Sequence, residues 1–370
     1  MTPTVEQHRF PCGNCGSDLR YLPGTDRLHC DHCGNEEVIE GDGPWAGARA
    51  IRERDFRAAL EARIPEADIE ETRVLQCQNC GALVEFDPDT HATECPFCAS
   101  PLVTDTGTHR GIKPAAVLPF ALSEDQARKA MTDWLGRLWF APGGLQQYAR
   151  KGRRMQGIYV PYWTYDADTR SQYRGQRGTV YHETRTRRVT VNGQSQNRSE
   201  RVQKVRWTRV SGRVARAFDD VLVLASRSLP KKYTDRLSPW DLTALEPYQP
   251  QYLAGFRAEA YQVELADGFD EARAIIDATI RRDIKFDIGG DRQRIEQVET
   301  EVSDVTFKHV LLPIWLAAYK YGGQTFRFVV NGRTGAVQGE RPWSRWKIAL
   351  AVVAGLLLAA GVGYLLAQNG

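Results

Sequence analysis

The chain has 370 residues, of which 42% are hydrophobic and 26% are charged, and its formal net charge is +3. This composition excludes a disordered or fibrous chain and leaves room for two or three domains with at least one full core. The small net charge hides an asymmetry. Residues 1–100 carry 9 Lys/Arg against 19 Asp/Glu, whereas residues 150–216 carry 17 against 4. A charged partner must therefore be considered segment by segment.

All eight cysteines fall in two clusters with the spacing C-x2-C-x14-C-x2-C. Their members are Cys12, Cys15, Cys30 and Cys33, then Cys77, Cys80, Cys95 and Cys98. Four thiolates at this spacing match a tetrahedral Zn²⁺ ion and leave no coordination position for water. We therefore predict two structural zinc ions, with iron in a rubredoxin-like site as the rival. Disulfides fit poorly, because this is metal spacing and no signal peptide is expected at the N-terminus.

Other residues of the clusters support the same interpretation. Glycines follow three of the four cysteine pairs, where tight turns favour a residue that tolerates positive φ: Gly16, Gly34 and Gly81. Three histidines lie inside the clusters: His29, His32 and His91. Because the thiolates already complete both sites, we expect these histidines to be surface residues.

The cysteine clusters predict zinc ribbons at residues 1–40 and 74–106, joined by a charged helical linker at 41–73. Four apolar residues of the linker recur near helical spacing before Pro65: Ile51, Phe56, Leu60 and Ile64. We expect a solvated spacer with one apolar stripe. The acidity of residues 1–100 makes the ribbons a poor docking surface for phosphates.

Residues 113–340 are predicted to form an α+β domain built on a duplicated strand–helix–strand unit. The first copy comprises AAVLPFAL, a helix that begins at a capping box of Ser123 and Gln126, and YVPYWTYDADTRSQYRG. The second comprises AEAYQVELA, a helix over FDEARAIIDATIRRDI, and two strands around Gly322–Gly323. The tripeptide PIW in this copy corresponds to PYW in the first. The expected buried helix faces are Ala127, Met131, Trp134 and Leu138, and Phe269, Ala272, Ile276 and Ile280.

Residues 174–216 interrupt the first copy and predict a protruding basic hairpin that turns at Asn192–Gly193. Both of its faces are polar, so it is not expected to lie in a core. Its basic residues, with Tyr181 and Trp207 among them, suit anionic lipid headgroups, an acidic protein or nucleic acid. Because a bilayer is expected nearby, lipid or protein ranks above nucleic acid.

The C-terminus predicts a single transmembrane helix within residues 341–370. Residues 348–367 carry no charge and are long enough to span the hydrocarbon of a bilayer. Trp343 and Trp346 fit an interfacial belt. Three basic residues precede the span: Arg341, Arg345 and Lys347. The positive-inside rule then places the N-terminal part in the cytoplasm, so we expect a single-pass tail anchor in the cytoplasmic (inner) membrane.

The double ribbon, the stretch LEPYQPQYLAGFRAEAYQVEL, the run LPIWLAAYKYGGQTFRFVVNGRTGAVQGERPWS and the C-terminal span together resemble bacterial TFIIB-type zinc-ribbon membrane proteins. The resemblance covers nearly the whole chain. It implies the eight cysteines as the metal set and supplies no catalytic residues. Such proteins are often labelled primosomal protein N′ or superfamily II helicase. Some relatives are associated with membrane-stress systems beside SPFH-type and phage-shock-protein-A-type partners.

A helicase label does not fit the residues of this chain. A helicase needs a Walker A loop, G-x4-G-K-[ST], and the sequence contains neither G-K-S nor G-K-T. It also has no G-x-S-x-G or H-E-x-x-H motif. We therefore expect a non-enzymatic, tail-anchored adaptor or scaffold that recruits partners in membrane maintenance or stress. The alternative is a membrane-tethered nucleic-acid-binding protein without helicase activity.

Overall fold

The computed structural model describes residues 10–40, 51–61, 64–85, 92–98, 100–103, 107–140, 155–191, 194–321, 324–340 and 343–368. The helices in these ranges are Phe56–Leu60 (α1), Glu124–Gly136 (α2), Lys231–Thr234 (α3), Leu265–Ile288 (α4) and Arg345–Gln368 (α5). The first nine strands are Arg20–Tyr21 (β1), Arg27–His29 (β2), Glu36–Val38 (β3), Arg54–Asp55 (β4), Ile69–Gln76 (β5), Leu83–Glu85 (β6), Ala92–Glu94 (β7), Pro101–Val103 (β8) and Gly107–Ile112 (β9). The others are Ala116–Val117 (β10), Gln156–Val191 (β11), Gln194–Leu224 (β12), Glu246–Pro247 (β13), Arg257–Ala258 (β14), Arg292–Tyr321 (β15), Gln324–Asn331 (β16) and Val337–Gly339 (β17). The chain is thus a mixed α+β protein dominated by β-sheet, as predicted.

The body of the protein is built on three long strands. β11 lies between β12 and β15 and is antiparallel to both. On its other side β15 pairs with β4, β10 and β16. The two strands around Gly322–Gly323 are therefore confirmed, although β15 begins at Arg292, well before the predicted strand. The glycines themselves lie outside the described residues.

The two central strands, β11 and β15, are each preceded in the chain by a short strand and a helix. β10 leads into α2 and then β11, and β14 leads into α4 and then β15. Each short strand pairs in parallel with the long strand of the other unit: β10 with β15, and β14 with β11. Trp163 on β11 donates its indole N–H to the Val263 carbonyl at 2.8 Å, and Trp315 on β15 donates to the Leu122 carbonyl at 2.9 Å. Each carbonyl belongs to the residue just before a helix N-cap.

The two helices follow their sequence signals. The predicted capping box at Ser123 and Gln126 is present at the start of α2. The buried residues of α2 are Ala127, Met131 and Leu135, whereas the predicted Trp134 and Leu138 are only partly buried against the core. α4 is longer than predicted. Its buried stripe continues past Ala272, Ile276 and Ile280 to Ile284 and Ile288, and Phe269 is half-buried.

The linker between the ribbons does not form the predicted solvated spacer. Within its described part, α1 spans five residues, and Phe56 is buried against Tyr165 and Phe269. The preceding strand, β4, pairs with β15. The segment packs against the body because burial of the Phe56 ring removes a large apolar area from water.

β11 and β12 extend far beyond the predicted insert at 174–216. They pair from Tyr162 opposite Leu224 to Val191 opposite Gln194, over a length on the order of 100 Å. The turn at Asn192–Gly193 lies outside the described residues. β15 covers the outer edge of β11 up to Gly178, and α4 packs along this three-stranded part. Beyond it only two strands continue. Residues 179–191 and 194–206 are called the distal hairpin below.

α5 is long and apolar enough to cross a membrane. The segment Trp346–Leu366 has 21 residues, a mean hydropathy of 2.4, and no part buried in the protein. A single helix of this kind is weak support for membrane anchoring. Its length and composition agree with the predicted span, and its full exposure differs from that of a core helix.

Candidate metal centres

Three of the four cysteine pairs lie on a tight turn that a glycine completes. The Gly16 N–H donates to the Cys12 carbonyl at 2.8 Å, and the Gly81 N–H donates to the Cys77 carbonyl at 2.7 Å. Gly34 makes the same bond to Cys30. The three glycines have φ between +74° and +76°, a region that disfavours residues with a Cβ atom. The predicted role of these glycines is confirmed.

The turns bring the four sulfur atoms of each cluster together. Within each cluster the ligand atoms lie within 4.8 Å of one another. In the first cluster the Cys12–Cys33 and Cys15–Cys30 sulfur pairs are 3.6 Å apart. The second cluster has the same two separations: Cys77–Cys98 and Cys80–Cys95 at 3.6 Å.

These sulfur separations fit a shared metal ion. A disulfide needs sulfurs about 2.05 Å apart, and all eight cysteines are free. Zinc–sulfur bonds of about 2.3 Å in a tetrahedron place neighbouring sulfurs roughly 3.8 Å apart. The structure therefore supports the two predicted four-cysteine sites, and four sulfurs would complete a tetrahedral ion with no position left for a substrate.

A polar side chain stands beside each cluster, at the second position after its last cysteine. The Asn35 amide nitrogen lies 3.6 Å from the Cys12 sulfur, and the Ser100 hydroxyl lies 3.3 Å from the Cys98 sulfur. Hydrogen bonds from such groups orient metal ligands and stabilise the thiolate. The sequence reasoning missed both residues, although their common position after the cysteine pair is a signal that could have revealed them.

Hydrogen bonds also prepare the thiols for a metal. The backbone N–H of Asn14 is the main cause that lowers the pKa of the Cys12 thiol to about 6. A hydrogen bond from Cys95 is the main cause that lowers the pKa of Cys80 to about 5, and the same bond raises the pKa of Cys95. The pKa of Cys33 and of Cys98 is also lowered by hydrogen bonds, so each cluster holds two sulfurs more readily as thiolates, the form that binds metal.

The histidines near the cysteines are not among the grouped ligands. His29 is half-buried, with Nδ1 3.8 Å from Glu36, and His32 is exposed. Neither belongs to the sulfur cluster, in agreement with the expectation. His91 lies outside the described residues.

A cavity of about 30 Å³ lies between the sheet of the second ribbon and the body. His109, Glu259, Tyr261 and His309 are among its lining residues. His309 Nδ1 donates to the Ile112 carbonyl at 2.7 Å, and burial lowers the pKa of His309 to about 4, so the ring is neutral. The two buried polar residues, Glu259 and His309, lie in strand-like stretches whose sequence gives no sign of a polar core.

Glu259 is the most unusual acid of this cavity. Its Oε1 accepts hydrogen bonds from Ser226, at 2.9 Å, and from Ser228. Burial raises the pKa of the carboxyl to about 8, which makes the protonated form dominant at neutral pH. The Glu259 backbone bridges to Val84 of the second ribbon, so this acid lies directly beneath that ribbon.

A third group of potential metal ligands is partly compensated by a lysine. The carboxylates of Asp166, Asp219 and Asp220 lie close together. The buried Lys308 amine is 2.8 Å from Asp220 and 3.7 Å from Asp166, and it also contacts Glu53 at 3.1 Å. Because the lysine supplies the positive charge, this group is an ion-pair network that ties the linker to the body.

The distal hairpin carries cations on both faces. Arg187 and the opposite Arg198 lie on one face, whereas Arg188 and Arg201 lie on the other. Arg206 lies over the Tyr181 ring at 5.4 Å. Near its base, Arg294 lies over the Trp207 ring at 4.0 Å. Both aromatic residues singled out in the sequence are thus engaged by arginines of the same sheet.

Comparisons with known proteins give one relationship that spans most of the chain. The chain is 27% identical over 341 residues to the uncharacterized protein YdjG of Bacillus subtilis (strain 168), and the alignment covers 92% of each protein. No family model matches the chain. No solved structure matches it.

Proposed function

We propose that this protein is a non-enzymatic adaptor or scaffold, anchored at the cytoplasmic face of the bacterial inner membrane by α5. The observation that carries the proposal is the pairing of two closed four-cysteine centres with a helix of membrane-spanning length in one chain. Four thiolates leave no ligand position for catalysis, so we propose two structural zinc ions. Metal measurement on the purified chain should give two zinc ions, and iron or a single ion would contradict this assignment.

The two routes to β11 and β15 support a duplicated unit as the basis of the body. Trp163 and Trp315 stand at the same place in PYW and PIW. Each donates its indole N–H to the carbonyl that precedes the helix of the opposite unit. We propose that the ribbons and this duplicated body form the platform, and that the distal hairpin is its contact arm.

The proposed partners are proteins at the membrane, and the resemblance suggests SPFH-type and phage-shock-protein-A-type proteins. A pull-down of the full chain from detergent-solubilised membranes, with and without nuclease, tests this proposal. Recovery of the same proteins in both conditions supports the adaptor. Recovery that depends on nucleic acid supports the alternative, a membrane-tethered nucleic-acid-binding protein, which the basic distal hairpin favours.

The arm can be tested by charge reversal. The variant carries glutamate at four arginines of the distal hairpin, Arg185, Arg187, Arg188 and Arg206, and at Arg209 just beyond its base. A matched control carries glutamate at five exposed arginines elsewhere: Arg52, Arg57, Arg73, Arg236 and Arg281. We expect only the arm variant to lose binding to anionic vesicles or to an acidic partner. Nucleic-acid binding should be weak and should vanish near physiological salt, as expected for contacts to phosphate alone. Tight, salt-resistant binding that the arm variant abolishes would favour the nucleic-acid alternative.

The orientation of the anchor has its own test. A reporter fused after Gly370 should lie on the outer face of the membrane, whereas an N-terminal reporter should stay protected in the cytoplasm. Deletion of residues 348–370 should release the protein from membranes. Tight membrane binding of the truncated chain at high salt would show that α5 is not the main anchor.

A further inference from the structure

The beginning of α5 is bound to a segment that lies some two hundred residues earlier in the chain. The Ser344 N–H donates to the Phe140 carbonyl at 2.8 Å. The Lys347 amine donates to the Trp139 carbonyl at 3.2 Å, and the Phe140 and Trp343 rings are 6.2 Å apart. These contacts join the end of the body that follows α2 to the first turn of the apolar helix.

Three tryptophan side chains near these contacts are exposed to solvent. Trp139 is 79% exposed, Trp343 is 55% exposed and Trp346 is 82% exposed. Burial of a large aromatic side chain is normally worth a few kcal/mol, and clustered exposed apolar groups mark interaction surfaces. Indoles in particular prefer the interface of a bilayer, where the ring lies among headgroups and the N–H stays hydrated.

The depth of this cluster follows from the length of α5. The 21 residues of Trp346–Leu366 rise by about 32 Å, which matches the hydrocarbon core of a bilayer. With the helix across the membrane, Ser344 and Lys347 lie at its near interface. The two hydrogen bonds then hold Trp139 within one helical turn of that level. The segment cannot swing away without breaking both bonds.

The position is rigid with respect to the body. Three side chains of α2 are buried in the core: Ala127, Met131 and Leu135. The Trp134 ring also meets Phe328 of β16 edge-on, at 5.6 Å. Trp139 lies in the turn that follows α2, where its backbone N–H donates to the Arg137 carbonyl at 3.1 Å, so the indole is tied to this helix and through it to the body.

We propose that Trp139 and Phe140, together with Trp343 and Trp346, form an aromatic collar that inserts into the interfacial region of the lipid bilayer and seats the body on the membrane. The partner is the headgroup zone of the bilayer. The collar gives the body a second attachment beside the helix axis, so the domain does not rotate freely above the membrane. This inference rests on the proposed anchoring of α5.

The test uses the full chain in liposomes made from lipids with bromine atoms near the top of the acyl chains, which quench nearby indoles. The variants are Trp139→Phe and Trp346→Phe, and Trp134→Phe, in the last turn of α2 and packed against Phe328, is the matched control. We expect Trp139→Phe to remove roughly a third of the lipid-quenchable emission, since three interfacial indoles share it. Trp346→Phe should remove a similar share, and the control should remove little.

A second quencher makes the outcome decisive. If Trp139 faces water, Trp139→Phe will leave the lipid-quenched emission unchanged and will instead lower the emission that aqueous iodide quenches. That result overturns the collar. Failure of the anchor itself looks different, because the full chain would not float with the liposomes and no variant would alter lipid quenching. Equal zinc content of all variants checks that each has folded.

Discussion

The two metal centres have the same cysteine spacing and the same sulfur geometry but different surroundings. In the first ribbon, Cys15 and Cys33 are exposed, and the ribbon meets the body through the outer face of a small sheet. In the second, all but Cys80 are buried. Its Phe97 and Val84 are fully buried in the same apolar cluster as the central strands of the body. The coordination is a local property of the sequence, whereas the importance of each metal for the fold depends on what packs around it.

The first ribbon packs against an apolar cluster of the body that also contains Tyr159 and Trp315 of the central strands. Tyr21 packs edge-on to Tyr252 at 5.4 Å, and its hydroxyl donates to the Phe120 carbonyl at 3.3 Å. Leu19 and Leu28 are buried beside it. Both ribbons therefore share an apolar cluster with the central strands, and they differ in that the metal centre of the first is half exposed whereas that of the second is mostly buried.

Removal of one ligand from each centre gives the largest expected contrast. Cys77→Ser should lose one zinc ion and unfold the second ribbon, because metal binding supplies about 10–16 kcal/mol of the folding free energy of such sites. Since that ribbon covers the central strands, the thermal midpoint of the whole body should also fall. Cys12→Ser should lose one zinc ion and lower the midpoint of the body less, because two cysteines of the first centre are already exposed. Both variants are measured by metal content and calorimetry in detergent.

An equal decrease of the thermal midpoint in the two cysteine variants would contradict the expected difference between the two ribbons. It would mean that the first ribbon is as deeply coupled to the body as the second. A loss of both metal ions from either single variant would contradict the independence of the two sites.

The sequence predicts those parts of the molecule that local spacing determines. The cysteine pairs, their glycine turns and the capping box of α2 each depend on residues a few positions apart, and the structure has all of them. The length of β15 was missed, because Ile295, Val298 and Val302 are spaced by three and four residues and do not show the period-2 alternation of a strand. Its pairing with β11 depends on a strand more than a hundred residues away. The same holds for Phe56 and Glu259, whose burial depends entirely on distant partners.

Truncation of one buried aromatic in each ribbon should give the next largest difference. Phe97→Ala should destabilise the body by about 3–5 kcal/mol, because it leaves a cavity in the shared core. Tyr21→Ala should instead weaken only the docking of the first ribbon. Hydrogen exchange would then rise in residues 10–40 while the calorimetric midpoint of the body stays within a few degrees of wild type. Faster hydrogen exchange along β11 in Tyr21→Ala would contradict this difference between the two ribbons.

The stability of the contact between the second ribbon and the body should depend on pH, because Glu259 lies in that contact. Its folded-state pKa, near 8, lies above the usual value for an unfolded carboxyl, 4.5. The unfolded chain therefore releases the proton first, and the stability present below pH 4.5 is lost as the pH rises towards 8. Between pH 6.5 and 8 this loss amounts to about 2 kcal/mol.

Glu259→Gln removes that titration and keeps an acceptor for Ser226 and Ser228. Denaturant unfolding of the two proteins at matched pH values should show wild type falling relative to the variant from pH 6.5 to 8. Parallel pH profiles would show that the Glu259 carboxyl is already ionised and that the contact of the second ribbon with the body does not depend on its protonation. The difference between the proteins is the quantity to follow, since zinc binding to cysteine changes with pH in both.

The smallest expected effect concerns the ion pair on the first ribbon. Arg20 lies 3.1 Å from Asp31, and both side chains are more than half exposed, so the pair should contribute no more than about 0.5 kcal/mol. The stem of Arg20 also packs against Gly255, where even a Cβ atom would come within 3.2 Å of the Arg20 Cβ. Arg20→Met keeps a stem of similar length and removes the charge. Exchange in residues 10–40 should therefore match wild type in both low and high salt, because apolar contacts around Tyr21 hold the ribbon. A large, salt-sensitive rise in exchange would show instead that charge clamps the first ribbon to the body.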